Sequence, residues 1–381
     1  MYLALTIIFW AALALCAYVY AGFPLILRLW AGLTPNRPAP PADAPLPSVV
    51  LLISAYDEAK VIEAKLTNAL SLDYPHEKLT VALVSDGSTD DTVAIARGFD
   101  DPRLKVFDFL ERRGKNAALN DAIAQTSSDL LVFTDANSLY EPEALKHLAR
   151  HFADPGVGLV VGQLKFLSDA GDPVDGGLYW RLETKLKEWE DAVGSVLVAN
   201  GSIFAARRDL VGPLQDDVAN DFQLPMEIGG MGKAIRFEPS AIAREKAASD
   251  QDEEFQRKVR IVMRGLTGAW RLRGHIRGKR CFLFASHKLL RWFAGFCQLA
   301  LLITNALLAP TAPIYAAALV VQALFYCAAI GGFALRRDPN TPTLLRVPYY
   351  FCMVNAAAMV AVARILRGKR IRMWEKAETA R

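Results

Sequence analysis

Histidine and cysteine are scarce, five of each in 381 residues. The chain has no CxxC pair, no HExxH and no histidine-rich cluster. That excludes most zinc enzymes and histidine-based hydrolases, and GxSxG is absent as well. The phosphate-binding glycine patterns GxGxxG and GxxxxGK[ST] are also missing, which disfavours a dinucleotide site of that type and a P-loop mechanism. Cys16, Cys297, Cys327 and Cys352 lie in apolar stretches and Cys281 stands alone. With no disulfide framework, the middle of the chain is expected in a reducing compartment.

Charge is missing from both ends of the chain. No charged residue occurs from Leu3 to Leu27, nor from Trp292 to Leu335. At roughly 1.5 Å per helical residue, the first stretch is long enough to cross a hydrocarbon core of about 30 Å, and the second is long enough for two spans. Pro310 and Pro313 sit where a turn between those two would fall. A third stretch, Val347 to Ala363, is shorter and reads equally as a span, with Arg346 and Arg364 snorkelling, or as a re-entrant helix. The amino-terminal segment is too long for a cleaved leader, and no basic residue precedes it. Arg28 and Arg37 follow it, which places the amino terminus outside and the middle of the chain in the cytosol. Four spans would leave Arg367, Lys369, Arg370 and Arg372 outside, against the same rule; a re-entrant last segment removes the conflict.

Two acidic groups are pointedly placed. The apolar run Val81 to Val84 leads into Ser85-Asp86-Gly87, and Leu130 to Phe133 leads into Thr134-Asp135-Ala136-Asn137. Runs this apolar suit parallel strands buried on both faces, and ligands bind beyond the carboxyl ends of such strands. Around them, strands near 49–53, 80–84, 104–107 and 130–133 alternate with helices near 58–70, 90–97 and 115–125, a βαβ series. Asp135 and Asn137, two apart in extended geometry, would present hard oxygens suited to Mg²⁺ or Mn²⁺. The competing reading is an Asx turn capping the next helix, and Asp86 shares the ambiguity because Asp90 and Asp91 also make a helix cap. From Arg257 to Arg291 there are eleven Lys or Arg and no Asp or Glu, which reads as a face toward anionic lipid headgroups. Trp180 and Trp189 read as core packing or as sugar-stacking platforms.

Six segments occur in a telling order: SVVLLISAYDE at Ser48 to Glu58, VSDGSTDDT at Val84 to Thr92, GKNAALN at Gly114 to Asn120, TDAN at Thr134 to Asn137, NDFQL at Asn220 to Leu224 and RKVR at Arg257 to Arg260. With the flanking membrane segments, this order resembles the membrane-bound family 2 glycosyltransferases, the group of the cellulose, hyaluronan and poly-N-acetylglucosamine synthases. The resemblance implies an α/β fold of the GT-A type, Rossmann-like with a mostly parallel sheet, and transmembrane helices at both ends. It divides the chain into an anchor (1–34), a Pro/Ala-rich linker (35–47), the catalytic domain (48–250), basic interfacial helices (251–291), a membrane bundle (292–366) and a basic tail (367–381).

Carried over by position, Ala55, Tyr56, Asp57 and Asp86 resemble the nucleoside-binding elements, and Lys115 the basic residue near the phosphates. Asp135 and Asn137 stand in the DxD position that holds a divalent cation, Mg²⁺ or Mn²⁺. Asp221 matches the catalytic base, and Arg257 and Arg260 match the arginines of (Q/R)xxRW. Asn137, Asn220 and Ile261 stand where the family has Asp, Glu and Trp. Loss of that Trp points to transfer of one sugar or a few. The implied activity is inverting transfer from a nucleotide sugar, a UDP-hexose or UDP-N-acetylhexosamine, in exopolysaccharide or cell-surface glycan synthesis. The implied partners are that donor, a lipid-linked or glycan acceptor, membrane lipids and an export complex, with no nucleic acid, at the cytosolic face of a cell inner membrane. A catalytically degenerate nucleotide-binding scaffold and a ceramide- or diacylglycerol-type glycosyltransferase are the alternatives.

Overall fold

The computed structural model describes residues 1–35, 40–41, 44–168, 173–174, 177–246, 251–338 and 341–369. Arg37 of the linker and most of the basic tail, from Arg370 onward, lie outside the described residues. The described residues form two compact units: a helical one from 1–27, 251–266 and 281–369, and a sheet unit from 28–246 and 267–280.

Among the described residues, the sheet has nine strands: β1 (Val49–Ala55), β2 (Leu79–Asp86), β3 (Leu104–Phe109), β4 (Leu130–Asp135), β5 (Leu139–Tyr140), β6 (Val157–Leu167), β7 (Pro173–Val174), β8 (Phe204–Arg207) and β9 (Ala234–Lys246). Their order is β3-β2-β1-β4-β8-β6-β9-β5, with β7 beside β6. The first half is parallel, as the apolar runs imply: Val49 to Ile53 and Val81 to Val84 are at most 2% exposed. Such strands lie between two helix layers. Beyond β4 the sheet is mixed. β8 pairs antiparallel with both β4 and β6, while β9 runs parallel to β6 with two register shifts. The mostly parallel expectation holds for β1 to β4 and for the long β6–β9 pair, while the short ladders made by β5, β7 and β8 are antiparallel.

Two features of this order position the site. The chain moves from β1 outward to β3 and then returns to the far side of β1 with β4, so a switch point lies between the carboxyl ends of β1 and β4. Such a point opens a crevice; here it sets Ser54 beside Asp135. Next, the antiparallel pairing Phe133 with Phe204 brings the chain just before β8 back to the end of β4. The two phenyl rings stack with centroids 4.7 Å apart and planes 10° from parallel.

In the helical unit, Tyr18 and Ser286 hydroxyls meet at 2.7 Å, and Tyr20 donates to Asn355 Oδ1 at 2.7 Å. Among the described residues, four helices are long and apolar enough to cross a membrane: Tyr2–Leu33, Gly278–Leu308, Pro313–Ala334 and Thr343–Leu366. The last is a continuous helix of 24 residues, longer than its charge-free core because it includes Arg346 and Arg364. Pro313 begins a helix, as Pro at a first helical position does.

Phe204→Ala should cost about 3–5 kcal/mol, because it removes a fully buried ring from a stacked pair. Denaturant unfolding of the detergent-solubilised protein checks this; a change below about 1 kcal/mol would contradict the described core.

Candidate active site

A cleft opens at the switch point, where ligands bind in open α/β sheets. Ala55, Tyr56, Asp86, Lys115 and Asp135 line it, together with Glu58 and Arg112. Five sequence-expected residues thus share one cavity.

Asp86 ends β2, and its carboxylate accepts the backbone N–H of Arg113 at 2.8 Å and of Gly114 at 2.9 Å. A carboxylate offers about four acceptor positions, so it retains capacity toward the cleft. The bend after it requires glycine: Gly87 has φ +73°, and a Cβ there would lie 2.7 Å from the Arg112 nitrogen. The cap position of the next helix, Thr92–Arg97, is Asp91, and Asp90 braces its start: Oδ1 accepts Thr92 N–H at 3.0 Å while Oδ2 accepts Ala59 N–H at 3.0 Å. Asp57 departs from expectation. It does not line the cleft; its Oδ1 accepts Thr89 N–H at 2.7 Å. Its left-handed φ of 51°, which Asp tolerates better than most residues, turns the chain after β1. Asp57 therefore holds the 88–89 turn, which keeps Tyr56 in place.

Lys115 Nζ lies 2.5 Å from Asp135 Oδ1. The same short helix, Lys115–Ala124, carries Asn116, whose amide donates to the carbonyls of Gln215 at 2.6 Å and Val218 at 2.8 Å. Asn120 both donates to and accepts from the Leu214 backbone at 2.9 Å. The GKNAALN segment is thus a clamp: its lysine grips the end of β4, and its asparagines grip the loop that leads to Asp221.

Asp221 lies in the first turn of helix Asn220–Gly230, where a carboxylate favours the helix dipole. The cap position belongs to Ala219. The Cβ position of Gly201 lies 3.4 Å from Asp135 Oδ2 and 3.7 Å from Asp221 Oδ2. Two carboxylates from distant segments therefore converge on a point that glycine leaves empty, a cradle that a side chain would fill. Hard oxygens beside such a space suit Mg²⁺ or Mn²⁺, whose remaining ligands come from phosphates and water.

Asn137 is placed differently from expectation. β4 ends at Asp135, and residues 136–137 form a turn closed by Ser138 N–H to the Asp135 carbonyl at 3.3 Å. The extended alternation that would put both side chains on one side does not reach Asn137. Arg257 and Arg260 belong to the helical unit, on helix Gln251–Arg271, where Arg257 pairs with Glu254 at 3.4 Å. Trp180 packs edge-on against Phe166, with centroids 4.9 Å apart.

Sequence reading missed Arg112, Gly201 and Lys65. The Arg112 guanidinium sits 3.8 Å over the Tyr56 ring. Lys65 has no exposed surface. Its amine donates to Thr134 Oγ1 at 3.0 Å and to the Ser138 carbonyl, and it faces the Tyr140 ring at 4.4 Å. Glu245 accepts the hydroxyls of Ser138 and Ser202. A buried polar network thus underlies the Asp135 turn and the residue next to Gly201. The signal for Lys65 was available: with Ile62, Leu66 and Ala69 it occupies the buried stripe of its helix, where an ionisable residue is unusual.

Residues 50–211 match the family model described as "Glycosyl transferase family 2". A probable glycosyltransferase, YdaM, of Bacillus subtilis is 29% identical over 220 residues, covering 53% of this chain and 51% of its own. The poly-beta-1,6-N-acetyl-D-glucosamine synthase of Staphylococcus aureus is 27% identical over 205 residues, with 52% and 49% covered. The chain thus spans about half the length of these curated relatives. Among solved structures, the mannosyltransferase PcManGT of Pyrobaculum calidifontis, in complex with GDP-Man and Mn²⁺, superposes with a TM-score of 0.73 at 25% identity, over 95% of this chain and all of that one. The fold is GT-A, and the family match over residues 50–211 agrees with the motifs.

Burial pushes the Lys65 amine down from 10.5 to about 7, against the raising effect of Asp135 and Glu245. Between those values the unfolded chain binds the extra proton, so this group makes stability rise with pH from about 7 to 10.5. In metal-free buffer, Lys65→Met should flatten that rise in the thermal midpoint. An unchanged slope would contradict the buried placement.

Proposed function

We propose that the protein transfers a sugar, with inversion, from a nucleoside diphosphate sugar to a hydroxyl of a lipid-linked or glycan acceptor. The observation that carries this reading is the convergence of Asp135 and Asp221 on the space beside Gly201, with Asp135 also lining a cleft shared with Tyr56, Asp86 and Lys115. In this reading Tyr56 and Asp86 hold the nucleoside, Tyr56 by stacking and Asp86 by accepting an N–H of the base. Ala55 lets the base lie close to the β1 backbone. Lys115 faces the diphosphate and offsets the charge that grows on it as it leaves.

The acceptor oxygen bonds to the anomeric carbon while the bond from that carbon to the diphosphate oxygen breaks on the opposite face. The acceptor's proton passes to Asp221, the general base. Mg²⁺ or Mn²⁺ held by Asp135, with Asn137 and the donor's phosphates, would supply further charge compensation for the leaving group. The Mn²⁺ and GDP-Man named with PcManGT support both the ion class and the donor class. The polysaccharide named for the staphylococcal relative supports a glycan acceptor. Arg257 and Arg260 are assigned to the diphosphate and acceptor side by their motif alone.

The charge pattern around Arg28 and the four apolar helices support a multi-pass protein of the cell inner membrane with its catalytic domain in the cytosol. The basic run 257–291 then meets anionic headgroups. Export-complex partners belong to the same proposal.

The test is release of nucleoside diphosphate from detergent-purified protein over a panel of UDP- and GDP-sugars, with Mg²⁺ or Mn²⁺ and membrane lipid extract. Asp221→Asn should lower release by roughly 10²- to 10⁴-fold while nucleotide binding persists. Equal release by the variant would contradict the assignment of the base. Nucleotide binding without release from any donor, after glycan acceptors have been supplied, would favour the scaffold reading.

A further inference from the structure

Pro225 lies inside the helix that carries Asp221, Asn220–Gly230. In an α-helix the N–H of residue 225 would donate to the carbonyl of residue 221, and proline has no N–H to give. That carbonyl instead accepts the N–H of Ala199 at 2.8 Å. Ala199 stands two residues before Gly201, in the segment that runs into β8. The hydrogen bond therefore joins the backbone of Asp221 directly to the segment that forms the empty point between the two carboxylates.

A second brace acts on the same turn. The buried Arg280 guanidinium donates to the Pro225 carbonyl at 2.9 Å and to Ser195 Oγ at 3.2 Å. It fits only because residue 229 is glycine, where a Cβ would lie 2.4 Å from the guanidinium carbon. Both contacts tie the helix to residues 195–199, one through Asp221 and one through Pro225.

We propose that Pro225 is a positioning residue for Asp221. By withholding one helical hydrogen bond it reserves the Asp221 carbonyl for Ala199, which fixes the carboxylate opposite Asp135. A proline at this place is otherwise a poor choice for a helix interior. The inference rests on the reading of Asp221 as the base.

Pro225→Ala supplies the missing N–H, which then competes with Ala199 for the same oxygen. The expected result, measured on the full-length protein in detergent, is a fall in kcat of about 10- to 100-fold, the scale of a small displacement of a reacting group. The KM for the nucleotide sugar and the affinity for the nucleoside diphosphate should be unchanged, and the thermal midpoint should be equal or higher. An unchanged kcat overturns the proposal. So does a loss of nucleotide affinity or of folded protein, because the proline would then serve the fold. Asp221→Asn, assayed alongside, separates the two claims. If it leaves kcat intact, the base assignment fails; if it abolishes turnover while Pro225→Ala does not slow it, only the positioning role fails.

Discussion

The rest of the site depends on one steric fact: residue 201 has no side chain. Asp135 and Asp221 lie more than eighty positions apart, yet one oxygen of each comes within van der Waals distance of the same point. Two carboxylates share a small space favourably only if positive charge joins them. Lys115 provides part of it at Asp135. The sheet order accounts for the meeting: an antiparallel strand inserted beside a parallel one returns the chain to the carboxyl end of β4, where the switch point has already opened a crevice.

Polar groups add to the apolar packing of the Phe133–Phe204 stack in holding that point. The helix Lys115–Ala124 holds β4 by its lysine and the loop before Asp221 by two asparagines. Beneath it, Lys65 and Glu245 bind opposite sides of the Asp135 turn, through Thr134 and Ser138. Buried ionic groups rarely add much net stability, because desolvation offsets their attraction. Their bonds are directional, and here every one of them fixes a loop that apolar contacts would leave less defined.

How much of this was legible in the sequence depended on the physics of each element. β1, β2 and β4 announced themselves because strands buried on both faces must be apolar throughout, and the acidic residues at their ends marked the crevice. The second half was harder. β8 has only four residues, too short to stand out, and β9 alternates Arg236, Glu238 and Arg244 with buried positions, so it forms no apolar run. Asp86, Asp135 and Lys115 were legible as site residues because their loops are local. Gly201 acts through long-range approach, which no local pattern records, whereas Lys65 was legible as an ionisable residue within an apolar helical stripe. The strand geometry expected at Asn137 does not reach it, because β4 ends at Asp135 and a turn follows.

The most direct test of the account replaces Gly201 with alanine and follows Mn²⁺ binding by electron paramagnetic resonance, with UDP or GDP present. At 3.4 and 3.7 Å from the two oxygens, the new methyl is an ordinary contact and leaves the fold intact, but it occupies the shared space. The account predicts nucleotide-dependent Mn²⁺ binding by the native protein, and a marked loss of it in Gly201→Ala at an unchanged thermal midpoint. Equal Mn²⁺ binding by both proteins would contradict the claim that Asp135 and Asp221 work at a single point.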